Sequence, residues 1–553
     1  MSSSVDLRTV YAFAREFHSK GPNIGKMLYG TAGFRTLHDK LEFIAFRMGI
    51  LATLRSRTFS GQAIGVMITA SHNPECDNGV KIIDPKGEML EMSWEGIATD
   101  LVNVSDDKLE SEVAKIIAQQ KVDMNAQSNV FIGMDTRYHS PAMGRAVVNG
   151  VRALKGNLRD YGILTTPMLH YLVFSHNVKG AYGTPTEAGY VAKLVTAFKK
   201  LRGEKLENGN YKNFLLFDGA NGVGSLKMFE FNRQLAGTLQ CQVFNANGKI
   251  NHNCGADYVK TSQRPPTGLP EHEPNTRCVS VDGDADRVVY FFIDSNGTFH
   301  LLDGDRIATL IADYLMDLVQ KCGISLKLGI VQTAYANGAS TDYIVDQLKI
   351  DVACAQTGVK HLHHKALEYD IGVYFEANGH GTVIFSEKTK AKLSVALNST
   401  ATSEERREAL NKLLLTIDLI NETVGDAISD MLLVETILHT KGWDLSDWLA
   451  TYDDLPNLQQ KVKVQDRNIF ETTDAERICV KPEGLQDKIN EIVKKYKRGR
   501  SFVRPSGTED VVRVYAEAEN ADDVQLLAAE VSILVYEMAN GVGERPMIPH
   551  QKL

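Results

Sequence analysis

Short apolar runs alternate along the chain with longer segments in which apolar residues recur every three or four positions. The runs at 64–68, 131–134 and 214–217 are typical of buried strands. From Arg306 onward the apolar positions form one helical face, and Gly323 predicts where that helix ends. Because continuous apolar strands alternate with helices, we expect parallel sheets covered by helices on both faces, that is, an α/β fold.

This alternation continues to about residue 450 and then changes. Further strands are predicted at 278–281, 288–293, 328–331, 352–355 and 371–375, with helices opening near Gly358 and Thr341. The polar segment 452–457 is typical of a linker. Beyond it, apolar and polar residues alternate from 512 to 519, which predicts a half-exposed strand, and a helix is predicted at 522–538. The last part of the chain is therefore expected to be a smaller α+β domain.

Size and charge restrict the possible classes of protein. A chain of 553 residues is long enough for three or four domains. A net charge of −8 argues against nucleic acid or an anionic membrane as the main partner. No signal-peptide pattern and no apolar run of membrane-spanning length is present, so we expect a cytosolic protein. The seven cysteines have no metal-like spacing, and we expect most of them to be reduced core residues.

Ser71 lies in the polar run TASHNP (residues 69–74), directly after the predicted strand at 64–68. Ligands bind at such strand ends in α/β sheets, and the small neighbours of Ser71 leave its hydroxyl accessible. Lys81 follows a short loop later. A serine in a polar loop is more often a turn residue than a nucleophile, and no GxSxG elbow is present. This run alone leaves both interpretations open.

A second loop carries three carboxylates at alternate positions, Asp282, Asp284 and Asp286, between two predicted strands. Their mutual repulsion calls for a cation, and ligands that are all oxygen favour a hard ion such as Mg²⁺. An EF-hand loop beginning at Asp282 would need Gly and Glu where this chain has Arg287 and Ile293. The loop therefore predicts a magnesium site of another kind.

Two more loops carry polar groups suited to a phosphosugar. The run EANGHG (residues 376–381) follows a predicted strand and brings a carboxylate, an amide and an imidazole together, which suits sugar hydroxyls. The run RPSGTE (residues 504–509), with Arg513 after it, offers two guanidiniums and two hydroxyls to an anion. Either loop, taken alone, could also be an ordinary turn.

These four loops, in this order, resemble those of the α-D-phosphohexomutase family, and so does the early run YGTAGFR (residues 29–35). The resemblance covers most of the chain. It implies an α/β protein with three related α/β domains with mixed sheets and a C-terminal α+β domain, arranged around a central cleft. The boundaries that we expect are 1–185 with the serine loop, 186–303 with the metal loop, 304–450 with the sugar loop and 451–553 with the phosphate loop.

The resemblance also implies a role for each loop. Ser71 would carry a phosphoryl group, and the three aspartates would bind one Mg²⁺ per chain, with the phosphate on Ser71 completing the ligand shell. We expect Lys81 or His72 to transfer protons and Arg287 to steady the phosphate. The expected substrate-binding residues are Glu376, Ala377, Asn378 and His380 in the sugar loop, and Arg504, Pro505, Ser506, Gly507, Thr508 and Arg513 in the phosphate loop.

Asn378 favours one branch of that family. Hexose mutases usually have a serine at this position, whereas Asn378 resembles the members that act on N-acetylglucosamine phosphate. The implied reaction is an isomerisation that moves phosphate between O6 and O1 through a sugar 1,6-bisphosphate, for UDP-N-acetylglucosamine synthesis. The expected partner is a phosphosugar substrate, without nucleic acid or membrane, and the expected state is a monomer. A glucose or mannose phosphomutase, a phosphosugar phosphatase and a non-catalytic binding protein remain alternatives.

Overall fold

Within the described residues the chain forms three α/β sheets, a three-stranded antiparallel sheet and a two-stranded antiparallel sheet. The computed structural model describes residues 7–22, 24–399, 403–506 and 510–549. Contacts divide the chain into two units, the first with residues 1–303, 378–383 and 393–446 and the second with the remainder. The α/β class and the C-terminal α+β part are confirmed. The four domain boundaries and the central cleft stay predictions.

The first sheet has the strand order β1-β3-β2-β4-β5, in which β3 is antiparallel to β1 and β2, and β2, β4 and β5 are parallel. Helices α2 and α5 cover one face of this sheet, and α6 contacts the strands β2 and β4 as well. The elements of this part are α1 (Arg8–Phe17), β1 (Phe34–Leu37), α2 (Glu42–Thr58), β2 (Ala63–Ile68), β3 (Asp77–Ile83), α3 (Met92–Asn103), α4 (Leu109–Gln119), β4 (Asn129–Met134), α5 (Ser140–Ala153), β5 (Asn157–Ile163), α6 (Thr166–Asn177) and α7 (Glu187–Arg202).

The second sheet repeats the same pairing pattern with the order β10-β9-β8-β6-β7. Its strands β8, β6 and β7 are parallel, and β9 is antiparallel to β8 and β10. Its elements are β6 (Phe214–Asp218), α8 (Val223–Leu235), β7 (Gln240–Phe244), α9 (Ala256–Ser262), β8 (Cys278–Val281), β9 (Val288–Ile293) and β10 (Phe299–Leu302).

The third sheet has the order β12-β11-β13-β14, with β12, β11 and β13 parallel. Long helices follow it in the chain. The elements are α10 (Gly304–Cys322), β11 (Leu328–Gln332), α11 (Gly338–Asp342), which continues as a π-helical turn, β12 (Asp351–Cys354), α12 (Val359–Ala366), β13 (Ile371–Phe375), β14 (Gly381–Phe385), α13 (Glu387–Leu397), α14 (Glu404–Leu419), α15 (Ala427–Lys441) and α16 (Leu445–Leu449).

The same short hairpin recurs in all three α/β sheets. A loop of eight residues or fewer joins β2 to β3, β8 to β9 and β13 to β14, at equivalent places in the strand order. These loops carry Ser71, the three aspartates and the run 376–380, respectively. In the first sheet the hairpin precedes the two other parallel strands along the chain, whereas in the other two sheets it follows them.

The C-terminal part contains an antiparallel sheet with the order β15-β19-β18. The strand predicted at 512–519 is confirmed as far as residue 517, but its predicted half-exposure is wrong. Tyr515 and Glu517 are buried, because Tyr515 stacks on Phe502 and Glu517 pairs with Arg500 at 2.8 Å. The elements are β15 (Asn457–Lys463), β16 (Glu471–Thr473), β17 (Ile478–Lys481), α17 (Leu485–Val493), β18 (Arg500–Pro505), β19 (Val511–Glu517) and α18 (Ala521–Met538).

The polar segment that precedes this sheet is anchored, although its composition is that of a linker. The buried guanidinium of Arg306, in α10, donates hydrogen bonds to the carbonyl oxygens of Leu449 and Tyr452. It also pairs with Asp454 at 3.1 Å. These bonds attach the segment to α10.

Within the part of the chain that the structure describes, no helix is both long and apolar enough to cross a membrane. The cysteines are free thiols, and five of the seven are buried, as expected for core residues.

The packing of α2 on α5 generates a stability prediction. A Cβ added at Gly150 would lie 2.0 Å from the carbonyl oxygen of Phe46 and 2.9 Å from the backbone nitrogen of Ile50. Because backbone atoms cannot move aside cheaply, we expect Gly150→Ala to destabilise the fold by about 1–3 kcal/mol. Thermal unfolding measures this effect. The control is Gly96→Ala in α3, where the added Cβ meets no atom within 4 Å and where alanine should stabilise the helix by about 1 kcal/mol. Equal melting temperatures for the two variants would contradict the prediction.

Candidate active site

Ser71 lies in the β2–β3 loop and is held in an uncommon backbone conformation. Its φ is +50°, and its backbone N–H donates to Thr69 Oγ1 at 2.9 Å. The side chain of Asn251 donates to the carbonyl oxygen of Ser71 at 2.8 Å. The hydroxyl donates to Asp282 Oδ2 at 2.6 Å, and Asp286 Oδ1 lies 3.4 Å away. The loop therefore directs the serine hydroxyl at the aspartate loop.

The three aspartates of the β8–β9 loop converge as the sequence predicted. Asp282, Asp284 and Asp286 are buried, and one carboxylate oxygen from each lies within 4.8 Å of the others. Within the described residues Asp284 Oδ1 is buried without a hydrogen-bond partner. Three oxygen donors, one of them unpaired, fit a hard divalent cation such as Mg²⁺.

Glycine allows the two loops to approach each other. A Cβ added at Gly283 would lie 2.7 Å from the carbonyl oxygen of Ser71 and 2.6 Å from Ile250 Cδ1. Any other residue at this position would push the aspartate loop away from the serine. The close approach thus explains why the residue between Asp282 and Asp284 is a glycine.

The pKa values of Asp282 and Asp286 shift in opposite directions because the surroundings of the two carboxylates differ. Burial, then repulsion from Asp286 and Asp284, raises the pKa of Asp282 well above its ordinary value. Burial also acts to raise the pKa of Asp286, but the charges of His380 and Lys81 outweigh it and hold that pKa below its ordinary value. A cation among the carboxylates is needed for all three to be charged together.

Two cations flank the aspartates. Lys81 Nζ, on β3, lies 3.3 Å from Asp284 Oδ2 and 3.7 Å from Asp286 Oδ2. Arg287 Nε lies 3.9 Å from Asp282 Oδ2 and 3.8 Å from Asp286 Oδ1. Both cations therefore lie beside the aspartate loop and offset part of its negative charge.

His72 lies next to Ser71 and is buried with positive neighbours. Burial, then the guanidiniums of Arg287 and Arg35, lowers the pKa of His72 to about 2. Its Nδ1 has no hydrogen-bond partner among the described residues. The imidazole is therefore neutral at physiological pH, which suits a hydrogen-bonding role better than proton transfer. The role of His72 as a proton carrier stays a prediction.

The residues of the sugar loop divide between the two units. In the second unit, the backbone N–H of Gly358, before α12, donates to Glu376 Oε1 at 3.2 Å, and the carbonyl oxygen of Ala377 accepts from Gly304. In the first unit, Asn378 Oδ1 accepts from the backbone N–H of His380 at 3.0 Å. The amide of Asn378 therefore shapes the turn as well as being a candidate for sugar recognition.

The phosphate loop contains two arginines that face each other. Arg504 on β18 lies directly opposite Arg513 on β19. Like charges in such a pair destabilise a sheet unless an anion offsets them. Glu476 offsets one of them through a 2.7 Å bond from Arg504 Nε, and its other oxygen accepts from Thr357. The pair is thus suited to a phosphate.

The remaining residues of this loop are only partly described. Pro505 ends β18 opposite Val512, and the backbone N–H of buried Ser506 donates to the carbonyl oxygen of Val511 at 2.8 Å. Gly507 and Thr508 lie outside the described residues.

The sequence did not reveal three residues that support the site. Arg137, paired with Asp135, donates to the carbonyl oxygens of Ser71 and Asn73. Asn251 donates to the same two oxygens, and Thr166 Oγ1 donates to Asp284 Oδ2 at 2.6 Å. The run Asp-Thr-Arg directly after β4 was a possible signal for Arg137, because parallel strands β4 and β2 end at the same sheet edge.

Four family models match the chain in order. They are phosphoglucomutase/phosphomannomutase alpha/beta/alpha domain I at 50–104 and 100–182, phosphoacetylglucosamine mutase AMG1 domain II at 181–289, domain III of the same protein at 303–443, and the phosphoglucomutase/phosphomannomutase C-terminal domain at 460–534.

Individual proteins match over nearly the whole length. The phosphoacetylglucosamine mutase of Sus scrofa is 52% identical over 520 residues, which cover 94% of this chain and 95% of that protein. The crystal structure of Aspergillus fumigatus N-acetylphosphoglucosamine mutase in complex with GlcNAc-6P and magnesium has a TM-score of 0.91 and 46% identity, and covers 96% of this chain and 99% of that one. A serine-to-alanine variant of the Aspergillus fumigatus enzyme in complex with glucose 1,6-bisphosphate has a TM-score of 0.90 and 44% identity, with 97% and 99% covered. The chain therefore belongs to the phosphoacetylglucosamine mutase family of the α-D-phosphohexomutase superfamily.

Proposed function

We propose that this chain is an isomerase that interconverts N-acetylglucosamine 6-phosphate and N-acetylglucosamine 1-phosphate. The observation that carries the proposal is the serine hydroxyl held 2.6 Å from Asp282 inside a buried group of three carboxylates. A hydroxyl in that position suits a phosphoryl carrier, because a phosphoserine needs both a cation and nearby positive side chains. Family membership supports the same reaction and substrate.

The proposed reaction consists of two phosphoryl transfers, each of a different phosphoryl group. The bond between phosphorus and Ser71 Oγ breaks as a bond to the free sugar hydroxyl forms, and this gives a 1,6-bisphosphate. After the sugar turns over, the bond between the other phosphorus and its sugar oxygen breaks as a new bond to Ser71 Oγ forms, which frees that sugar hydroxyl and restores the phosphoserine. Glucose 1,6-bisphosphate, which the Aspergillus fumigatus variant binds, is a suitable activator for loading the serine.

The residues of the first unit have distinct parts in this scheme. Asp282, Asp284 and Asp286 would hold Mg²⁺, together with the phosphate on Ser71, and bound Mg²⁺ would stabilise charge on the transferring group. Arg287 steadies the same phosphate from beside the aspartates. Lys81 is the proposed proton carrier, because it lies beside the site and the attacking hydroxyl must lose a proton.

The residues of the second unit and the sugar loop bind the remainder of the substrate. Arg504 and Arg513, with Pro505, Ser506, Gly507 and Thr508, grip the phosphate that does not react. Glu376, Ala377, Asn378 and His380 recognise the sugar, with Asn378 accounting for the acetamido preference. We further propose a cytosolic monomer with domain boundaries as predicted from the sequence.

The proposed function predicts substrate preference. The purified chain with Mg²⁺ and a catalytic amount of glucose 1,6-bisphosphate should convert N-acetylglucosamine 6-phosphate to the 1-phosphate, as followed by phosphorus NMR. Glucose 1-phosphate and mannose 1-phosphate should react more slowly at equal concentration. Release of free phosphate without isomerisation would instead indicate a phosphatase, and faster turnover of glucose 1-phosphate a phosphoglucomutase.

The serine has a direct test. Ser71→Ala should lower mutase activity by roughly a thousandfold or more, because no other group takes the phosphoryl. Alanine keeps the Cβ, so the melting temperature should stay close to that of the parent. The matched control is Ser93→Ala on the exposed first turn of α3, which should remain fully active. Substantial activity in Ser71→Ala would rule out the phosphoserine mechanism.

The metal site can be tested separately. Asp284→Asn removes a carboxylate charge and should weaken Mg²⁺ binding by about 10- to 100-fold or more, as measured by calorimetry. Activity should fall in the same variant and recover in part at high Mg²⁺ concentration. Asp317→Asn, on the exposed face of α10, is the control and should bind Mg²⁺ normally. Unchanged Mg²⁺ binding in Asp284→Asn would contradict the assignment of the ligands.

A further inference from the structure

The connection between α14 and α15 is a buried loop. Asn421, Thr423, Val424, Gly425 and Asp426 are all buried. Loops usually run over the surface, because their backbone polar groups need partners. A buried loop beside an active site therefore requires an explanation. We call residues 421–427 the brace segment.

The brace segment is bonded to the aspartate loop. The carboxylate of Asp426 caps α15 by accepting from the backbone N–H of Ser429 at 3.1 Å. The first backbone N–H of that helix, on Ala427, donates to the carbonyl oxygen of Ala285 at 3.1 Å. Ala285 lies between two of the aspartates with φ of +57°. The helix end therefore holds the aspartate loop at its most constrained residue.

The brace segment also sets the place of the His380 ring. A Cβ added at Gly425 would lie 2.2 Å from His380 Cδ2 and 2.7 Å from Nε2. The backbone φ of Gly425 is outside the positive range, so backbone conformation does not demand glycine. Glycine is needed here because a larger residue would collide with the nearby imidazole.

Other hydrogen bonds fix the brace segment in place. Asp426 Oδ2 accepts from Tyr190 Oη at 2.5 Å and from Asn421 Nδ2 at 3.1 Å. Asn421 Nδ2 also donates to the carbonyl oxygen of Pro167, the residue after Thr166, whose hydroxyl binds Asp284. The segment is thus connected to the aspartate loop by two routes and to His380 by direct packing.

We propose that Gly425 and Asp426 are positioning residues, which hold the His380 imidazole and the Asp282–Asp286 loop in place for metal binding and catalysis. Gly425 acts through His380, and Asp426 acts through the first turn of α15 and Ala285. The kinetic consequence depends on the function proposed above, whereas the consequence for Mg²⁺ binding does not.

A double-mutant cycle tests the role of Gly425 in the full-length chain. Gly425→Ala should lower kcat/KM for N-acetylglucosamine 6-phosphate about tenfold or more, because the new methyl displaces the imidazole. In a His380→Ala background the imidazole clash is absent and only the contact with the carbonyl oxygen of Gly381, at 3.0 Å, remains, so Gly425→Ala should have a much smaller further effect. Equal losses in both backgrounds, or no loss in either, would overturn the role of Gly425. Gly96→Ala is the control for a glycine-to-alanine change in open space.

Calorimetry with Mg²⁺ tests the role of Asp426. Asp426→Ala should raise the Mg²⁺ dissociation constant by about tenfold. Ser403→Ala also removes a helix cap, that of α14, but has no bond to the aspartate loop and should leave Mg²⁺ binding unchanged. The melting temperature should fall further in Asp426→Ala, because Asp426 is buried and also bonded to Tyr190 and Asn421, and weaker Mg²⁺ binding in that variant alone supports the proposal.

The outcomes separate this proposal from the proposed function. Unchanged Mg²⁺ binding in Asp426→Ala, or an equal loss in Ser403→Ala, would overturn the role of Asp426. If the parent chain bound Mg²⁺ but had no mutase activity, the proposed function would fail. In that case the Mg²⁺ titrations of Asp426→Ala and Ser403→Ala would still decide whether the brace segment positions the aspartate loop.

Discussion

Repulsion among three buried carboxylates is the constraint on which the rest of the site depends. Burial, then repulsion from Asp286 and Asp284, raises the pKa of Asp282 well above its ordinary value, so the charged form of the loop depends on positive partners. Lys81 and Arg287 supply part of that charge within 4 Å, and a divalent cation would complete it. The serine hydroxyl lies in the same charged group, which is why a phosphoryl group on it could be held there.

One strand–loop–strand unit recurs in the fold and carries these groups. In each α/β sheet a short loop joins two neighbouring strands that follow one another along the chain. The first of these strands has a parallel neighbour on its other side. Each loop carries one part of the chemistry. A short loop between adjacent strands leaves little conformational freedom, so its side chains are held with precision. Glycines then permit the contacts that larger residues would prevent, as Gly283 does against Ser71 and Gly425 against His380.

The local sequence was sufficient to predict a functional residue wherever the strand that positions it lies directly before it in the chain. Ser71 and the three aspartates follow buried strands directly, so the pattern located both loops and the oxygen ligands suggested the metal. The predicted half-exposure of β19 was wrong for a physical reason. Alternation shows which residues share a face, but it does not show that Phe502 and Arg500 cover the second face. Arg137, Asn251 and the brace segment were missed because the loops that they contact are distant in sequence: Asn73 is 64 residues from Arg137, Ser71 is 180 from Asn251 and His380 is 45 from Gly425.

By itself the sequence determined the α/β class, the four chemical loops and, through resemblance, the family to which they belong. These follow from short-range patterns, since side-chain periodicity and the residues at strand ends are local properties. Only the tertiary structure decided which groups meet. It showed that the serine hydroxyl points at Asp282, that Thr166 binds Asp284, and that the end of α15 supports Ala285. Such contacts depend on the packing of distant segments, and no local pattern records that packing.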